Sequence, residues 1–146
     1  MTAQPVNAEI PADYLICTSE SCSERTNCLH AHVAAELTRT AATLRQINPH
    51  HPDYHEGSQC RFFRSAQPER YARGFRQAMN QLTRQNYIAL TNALIARETK
   101  TQFYRMRRGD IPLSPAMQAR LEKTFRDYGL NGKLTFDSYE ERFTWY

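Results

Sequence analysis

The four cysteines of this 146-residue chain all lie within its first 60 residues. Three of them follow the spacing C-x4-C-x5-C in a Ser- and Thr-rich stretch, and the fourth comes 32 residues later at the end of a loop. Four thiolates form a tetrahedral donor set for zinc and leave no open position for a reacting water. We therefore predict a structural zinc site, and its ligands are Cys17, Cys22, Cys28 and Cys60.

Other interpretations of the cysteines stay open, because the spacing is not the C-x-x-C pair of common zinc ribbons. An iron–sulfur cluster uses the same four thiolates. A third interpretation is disulfide bonds, which need an oxidising compartment, and a fourth is four free cysteines without a metal. His32, one helical turn after Cys28, is a substitute metal ligand. The remaining histidines, which we expect on the surface, are His30, His50, His51 and His55.

Positive charge is concentrated in the middle of the chain. The net charge is +4, yet residues 61–108 carry ten Arg and Lys100 against two acids, a local charge of +9. Residues 1–60 carry three Arg against seven acids and hold all five histidines. Of the 19 basic residues 16 are Arg, which makes planar, bidentate contacts with phosphate or carboxylate. This distribution predicts a basic face for nucleic acid or for an acidic protein partner.

Enzymatic activity is not expected from this sequence. Neither G-x-G-x-x-G nor G-x-x-x-x-G-K-[ST] occurs, and no carboxylate pair or Ser–His–Asp set has usable spacing. Asp53 with His51 and His55 is the one further cluster, for which a solvated loop is the simpler interpretation. We predict no small-molecule substrate.

A cytoplasmic location without a membrane partner is expected. Residues 1–13 have no basic start and no long apolar run, unlike a signal peptide. No stretch approaches the roughly 18 to 20 apolar residues of a membrane-spanning helix.

Helical periodicity predicts a mainly α fold of four to five helices, with a Cys-rich, metal-clamped N-terminal loop region and a short aromatic C-terminal tail. The first helix is expected to begin at Thr26 or Asn27 and to reach about Gln46. A second is expected from Pro68, with apolar residues at 71, 75, 79 and 82. Further helices are predicted over 84–96, from an N-cap at Thr99 to Gly109, and from Ser114 to Gly129. We predict one domain over 1–146: an extended arm (1–13), the Cys-rich part (14–66) and the helical part (67–146).

Residues 84–128 resemble a repressor-type helix-turn-helix, in which a polar helix ends in Arg-Gly and a Ser/Pro-started helix follows. In such proteins the second helix buries a few apolar residues, here Phe103 and Met106, and presents the others to the major groove. The turn departs from the pattern, because Arg97 and Glu98 stand where Gly and an aliphatic residue are usual. The expected nucleic-acid contacts on this helix are Lys100, Thr101, Gln102, Tyr104, Arg105, Arg107 and Arg108. Additional backbone contacts are expected from Arg61, Arg64, Arg73 and Arg76. The alternative is two core helices with a basic outer face.

Nearly the whole chain resembles a family of small uncharacterised bacterial proteins, a domain of unknown function. The likeness is carried by the C-x4-C-x5-C-L-H stretch at 17–30, by CRFFR at 60–64, by TQFYR at 101–105 and by PLSP at 112–115. The resemblance implies an architecture and no chemistry. Our leading hypothesis is a small regulatory protein that is stabilised by zinc and binds nucleic acid, with DNA as the expected partner. The alternatives are a protein-interaction adaptor with a structural metal and an Arg-rich face, and an iron–sulfur protein.

Overall fold

The computed structural model describes residues 10–146. Within that range it contains five helices and two strands. In chain order they are α1 (Leu29–Thr40), β1 (Glu69–Arg73), α2 (Arg76–Asn80), α3 (Arg84–Glu98), α4 (Lys100–Arg108), α5 (Pro115–Asp127) and β2 (Ser138–Arg142). None of these helices is both long enough and apolar enough to cross a membrane.

The chain divides into two compact units. The first comprises Met1–Pro68 together with Phe143–Tyr146, and the second comprises Glu69–Arg142. The boundary at residue 68 lies two residues from the expected border between the Cys-rich and helical parts. The extended arm expected over 1–13 falls mostly outside the described residues.

The first unit is organised around α1 and irregular segments. Leu29 and Val33 of α1 are fully buried, and they belong to a cluster that includes Ile16, Phe143 and Trp145. The helix is shorter than predicted, because the chain turns extended at Ala41. The segment after α1 then pairs with Ile16 through two backbone hydrogen bonds of 2.9 Å, to Arg45 O and from Ile47 N. Arg45 and Ile47 therefore supply backbone partners to Ile16, and the chain makes no further helical turn after Thr40.

The second unit packs four helices and a two-stranded sheet around aromatic side chains. The ring of Phe75 lies 6.2 Å from that of Phe103 in α4 and 5.7 Å from that of Phe125 in α5. All three side chains are at most 1% exposed. Strand β1 pairs antiparallel with β2, with Ala72 opposite Tyr139. The core of this unit thus joins helices to a sheet.

The helix boundaries after residue 83 follow the local capping signals. Side-chain oxygens of Thr83, Thr99 and Ser114 accept hydrogen bonds from the first turns of α3, α4 and α5. Gly109 ends α4 in the left-handed region with φ 85°, a conformation that favours glycine. The predicted starts at Thr99 and Ser114 and the predicted stop at Gly109 are confirmed.

The helix predicted from Pro68 is wrong. Residues 69–73 form β1, and the backbone N–H and C=O of Ala72 bond to Leu113 at 3.0 and 2.8 Å. Gly74 follows with φ 69°, and a Cβ there would lie 2.5 Å from the Asp137 carboxylate. Only the five-residue α2 remains of the expected helix. Pairing with distant segments outweighs the helical spacing of the apolar residues.

The expectation of a mainly α fold is also wrong, and the N-terminal loop does not show the expected ligating arrangement in the described residues. About 39% of the described residues are helical and 11% are in strands or bridges, which makes the fold mixed α/β. Within residues 10–146 no group of three or more His, Cys, Asp or Glu side chains is arranged to hold a metal ion. The N-terminal loops are instead joined by the isolated bridges Ile16–Gln46 and Cys28–Ser65.

Candidate thiol centre and candidate nucleic-acid interface

The four cysteines of the first unit line one small cavity of about 20 Å³. Backbone pairing brings them there. Leu29 N donates to Arg64 O at 2.7 Å and Ala66 N to Asn27 O at 2.8 Å, so the segment after Cys60 lies against the start of α1. Cys17 N donates to His30 O at 3.1 Å, which brings the segment before Cys22 to the same place.

The thiols are half-buried and free, with no disulfide among them. The Gly57 N–H donates to Cys22 Sγ at 3.3 Å, and Cys17 Sγ lies 3.9 Å from the Tyr54 hydroxyl. The cavity is of the size that one water molecule occupies. The structure therefore brings the predicted ligands to one cavity without placing them in a ligating arrangement.

Two buried polar side chains lie beside these thiols. Tyr14 and His30 are 3% and 6% exposed, and their rings stack 4.7 Å apart. His30 Nδ1 is hydrogen-bonded to Leu15 O at 2.5 Å, and burial lowers the pKa of the imidazole. The Tyr14 hydroxyl is buried without a hydrogen-bond partner in the described residues. Burial raises its pKa, and nearby Cys28 raises it further.

Of the histidines, His30 is not on the surface as expected. Its position three residues before Val33, on the buried side of α1, is the sequence signal that would have revealed this. His32, the substitute ligand, does not line the thiol cavity, and its Nε2 is hydrogen-bonded to Thr26 O at 2.7 Å.

The loop that holds His51, Asp53 and His55 forms an ion pair. Arg61 Nη1 lies 2.8 Å from Asp53 Oδ2, whereas His51 Nδ1 is 3.9 Å away. All these groups are exposed. Arg61, which was expected to contact nucleic acid, is therefore paired with a carboxylate in its own unit.

Helix α4 buries Phe103 and Met106 as predicted, each at 1% exposure. The exposed members of its expected outward set are Lys100, Thr101, Arg105 and Arg108. The other members, Gln102, Tyr104 and Arg107, are half-buried.

Two of those half-buried side chains pack inside the second unit. Tyr104 meets the Phe103 ring edge-on at 5.1 Å. The Arg107 guanidinium carbon lies 5.9 Å from the centre of the Tyr87 ring, and its Nε is buried. Tyr104 and Arg107 therefore help to seat α4, a role that the sequence pattern assigned to Phe103 and Met106 alone.

Arg108 holds the carboxylate of Asp110, just after α4, and two further arginines add positive charge nearby. Arg108 donates to Asp110 Oδ2 from Nη2 at 2.7 Å and from Nε at 3.2 Å. This contact is the main reason that the pKa of Asp110 is lowered, and the nearby charges of Arg105 and Arg76 lower it further. Neither Arg76 nor Arg105 forms an ion pair within the described residues. We call Arg76, Arg105 and Arg108 the arginine cluster.

The other predicted backbone contacts have structural partners. Arg73 donates from Nη1 to Gly109 O at 2.9 Å and pairs with Glu140 at 3.1 Å, so it ties β1 to the end of α4 and to β2. Arg64 donates to Phe63 O at 2.9 Å within the first unit.

These features define a small mixed α/β protein that carries a thiol-lined cavity in one unit and an arginine cluster in the other. Residues 1–145 match the model of a family described as "Family of unknown function (DUF6078)". The chain therefore belongs to that family. No curated protein and no solved structure matches the chain.

Proposed function

We propose that this protein is a small regulatory nucleic-acid-binding protein whose arginine cluster and exposed α4 side chains contact duplex DNA. The observation that carries the proposal is the exposure of three basic side chains on the firmly packed helix α4, Lys100, Arg105 and Arg108. Arg105 and the exposed Arg76 form no ion pair within the described residues, so their donors are free for another anion. Phosphate oxygens are the partners that such guanidinium groups bind with the best geometry.

The charge of the second unit agrees with this proposal. Residues 69–142 carry 14 Arg and Lys against 8 acids, whereas the rest of the chain carries 5 against 7. A positive unit attracts a polyanion and speeds its association. Helix α4 follows α3 after the single residue Thr99 and buries Phe103 and Met106. It is therefore held firmly on one side, while its opposite side is free to contact a ligand.

Each exposed residue has a distinct role under this proposal. Lys100, Arg76 and Arg105 bind phosphates, because no acidic residue of the described chain forms an ion pair with them. Under the proposal Thr101 and the half-buried Gln102, near the start of α4, read base edges, since the first turns of a recognition helix approach the bases. Arg108 contributes only when an anion competes with Asp110.

The test is a salt-titrated anisotropy measurement with a labelled random duplex. Wild-type protein should bind, and the logarithm of the affinity should fall linearly with the logarithm of salt concentration. Arg105→Gln should weaken binding and reduce that slope by about 0.9, the value for one lost phosphate contact. The matched control is Arg126→Gln in α5, because Arg126 is already paired with Glu122 at 2.7 Å.

Two outcomes would overturn the proposal. One is the absence of binding to duplex at low salt. The other is equal binding by the wild-type, Arg105→Gln and Arg126→Gln proteins. Stronger binding to single-stranded RNA than to duplex DNA would reject the DNA assignment. Capture of an acidic protein that survives nuclease treatment, without binding to the duplex, would favour the adaptor alternative.

For the thiol centre we propose zinc as the cofactor, on the basis of the donor set. Four thiols line one cavity. The Tyr14 hydroxyl near Cys28 has no hydrogen-bond partner in the described residues, and a metal-bound thiolate would accept a hydrogen bond from it. A cytoplasmic location, which keeps thiols reduced, belongs to the same proposal.

Metal analysis of the purified protein tests this second proposal. We expect about one zinc per chain in the wild type, and loss of zinc in Cys60→Ser but not in the neighbouring Ser58→Ala. Iron with visible absorption would establish the iron–sulfur alternative. Metal-free wild-type protein with four titratable thiols would refute both metals.

A further inference from the structure

The first unit also contains a larger cavity than the one lined by the thiols. Its volume is about 500 Å³, within the range of pockets that bind small molecules. It lies where the segment from Asp13 to Leu15 meets the last two residues of the chain, and α1 contributes only His30 to it.

Aromatic rings form much of its wall. Trp145 is half-buried, and its ring meets that of Tyr14 edge-on at 4.9 Å. The Tyr146 hydroxyl donates to Asp13 Oδ1 at 2.9 Å, which anchors the final residue at the cavity. Phe62 contributes another ring. Such walls favour a ligand with a flat, polarisable ring, because offset and edge-to-face contacts stabilise aromatic pairs.

Two guanidinium groups also line the cavity. Arg45 forms no side-chain hydrogen bond or ion pair within the described residues, and Arg64 uses one N–H for Phe63 O. The opposing charge is the Asp13 carboxylate, one oxygen of which already accepts from Tyr146. The cavity therefore carries an excess of one positive charge.

We propose that this cavity binds a small planar aromatic anion, whose ring packs against Trp145 and Phe62 and whose acidic group is held by Arg45 and Arg64. Guanidinium forks bind carboxylate and phosphate alike, so an aromatic carboxylate and a mononucleotide present the same chemistry here. Binding at this place requires no residue of the arginine cluster, so it is tested separately from DNA binding.

Trp145 makes the test direct, because it is the single Trp of the chain. Its emission is titrated with adenosine monophosphate and with 1-naphthoate, and each titration is repeated by calorimetry. Adenosine, which lacks the anion, and inorganic phosphate, which lacks the ring, serve as ligand controls. We expect a saturable change with at least one aromatic anion and none with either control at the same concentration.

The pattern of responses identifies the source of the anion. Saturation by the nucleotide alone assigns a phosphate ligand, and saturation by the naphthoate alone assigns a carboxylate. No saturable response to either compound up to about 10 mM, a range that would reveal even very weak affinity, would overturn the proposal. Equal binding of adenosine and its monophosphate would also overturn it, because the arginines would then have no role.

Variants locate the site. Arg45→Gln and Arg64→Gln should each raise the dissociation constant at least about tenfold, in keeping with the loss of a charge-assisted hydrogen bond. Arg39→Gln is the matched control, since Arg39 is an exposed arginine at the end of α1 that does not line this cavity. Wild-type affinity in both cavity variants, with melting temperatures unchanged, would refute the assignment.

Discussion

Replacing Asp110 by asparagine should strengthen DNA binding, which is the opposite of the usual effect of a mutation at an interface. In the wild type this carboxylate holds Arg108 at 2.7 Å and offsets part of the charge of Arg105 and Arg76. Asp110→Asn removes the negative charge while it keeps the size of the side chain. The cluster then changes from three cations and one anion to three cations.

The magnitude follows from Coulomb's law. A phosphate bound by the cluster would lie about 7 Å from the carboxylate, roughly the separation of two anions bridged by one guanidinium. At that distance in water the repulsion is weak, and its loss corresponds to a gain of a factor of about three in affinity. The release of Arg108 to make its own phosphate contact should steepen the salt dependence by about 0.9. Both effects weaken as salt shortens the Debye length.

The control for this experiment is Asp127→Asn, an exposed substitution in the same unit that changes the net charge equally. Anisotropy with the random duplex at several salt concentrations compares the two variants. We expect a larger gain for Asp110→Asn, together with the steeper slope. Equal gains would mean that only the net charge matters, and no gain from Asp110→Asn would refute the role of the arginine cluster.

The remaining predictions concern stability and its pH dependence. Gly74→Ala should lower the free energy of unfolding by about 2 kcal/mol in urea titrations, because both the positive φ and the approach to Asp137 oppose a Cβ. Gly132→Ala should cost less, since φ is similar there but no atom lies within 4 Å, and equal losses would refute the collision with Asp137. Thr99 caps α4 at φ 84°, a conformation that glycine adopts without strain and alanine does not. Thr99→Ala should therefore have a free energy of unfolding about 1 kcal/mol lower than Thr99→Gly, and the reverse order would contradict this. The folded-state pKa of Asp110 lies below its ordinary 3.8, so its ionised form stabilises the fold above that pH. The advantage of wild type over Asp110→Asn should therefore be constant above about pH 5 and shrink as the pH falls past 3.8 to the lowered pKa, whereas a change between pH 5 and 8 would contradict this.

Local chemistry explains which parts of the second unit were predictable. The caps at Thr99, Ser114 and Gly109 act over three or four residues, so a sequence window contains all of their causes. The strand at 69–73 depends on partners at 113 and 138–142, which no local window contains. Phe75 and Met79 are buried as the helical spacing predicted, but a strand, a glycine and a short helix bring them to the core.

In the candidate sites, too, features with local causes were predictable and features that depend on distant residues were not. The cysteines were identifiable because thiols are rare and clustered, although their meeting at one cavity depends on the pairing of residues 27–29 with 64–66. The inward packing of Arg107 on Tyr87 was not predictable, because 20 residues separate the two. The aromatic cavity was missed for a similar reason, since Arg45, Arg64 and Trp145 are scattered along the sequence.

The arginines of residues 61–108 show how contacts within the fold reduce the charge that is available to an external partner. Its +9 suggested one continuous basic surface, yet Arg61 and Arg64 belong to the first unit, where one pairs with Asp53 and the other lines the aromatic cavity. Within the second unit, Arg73 and Arg107 are engaged by Glu140 and Tyr87. The cations left for an external polyanion are therefore few, and Arg105 is the one on α4 whose removal should change DNA affinity most.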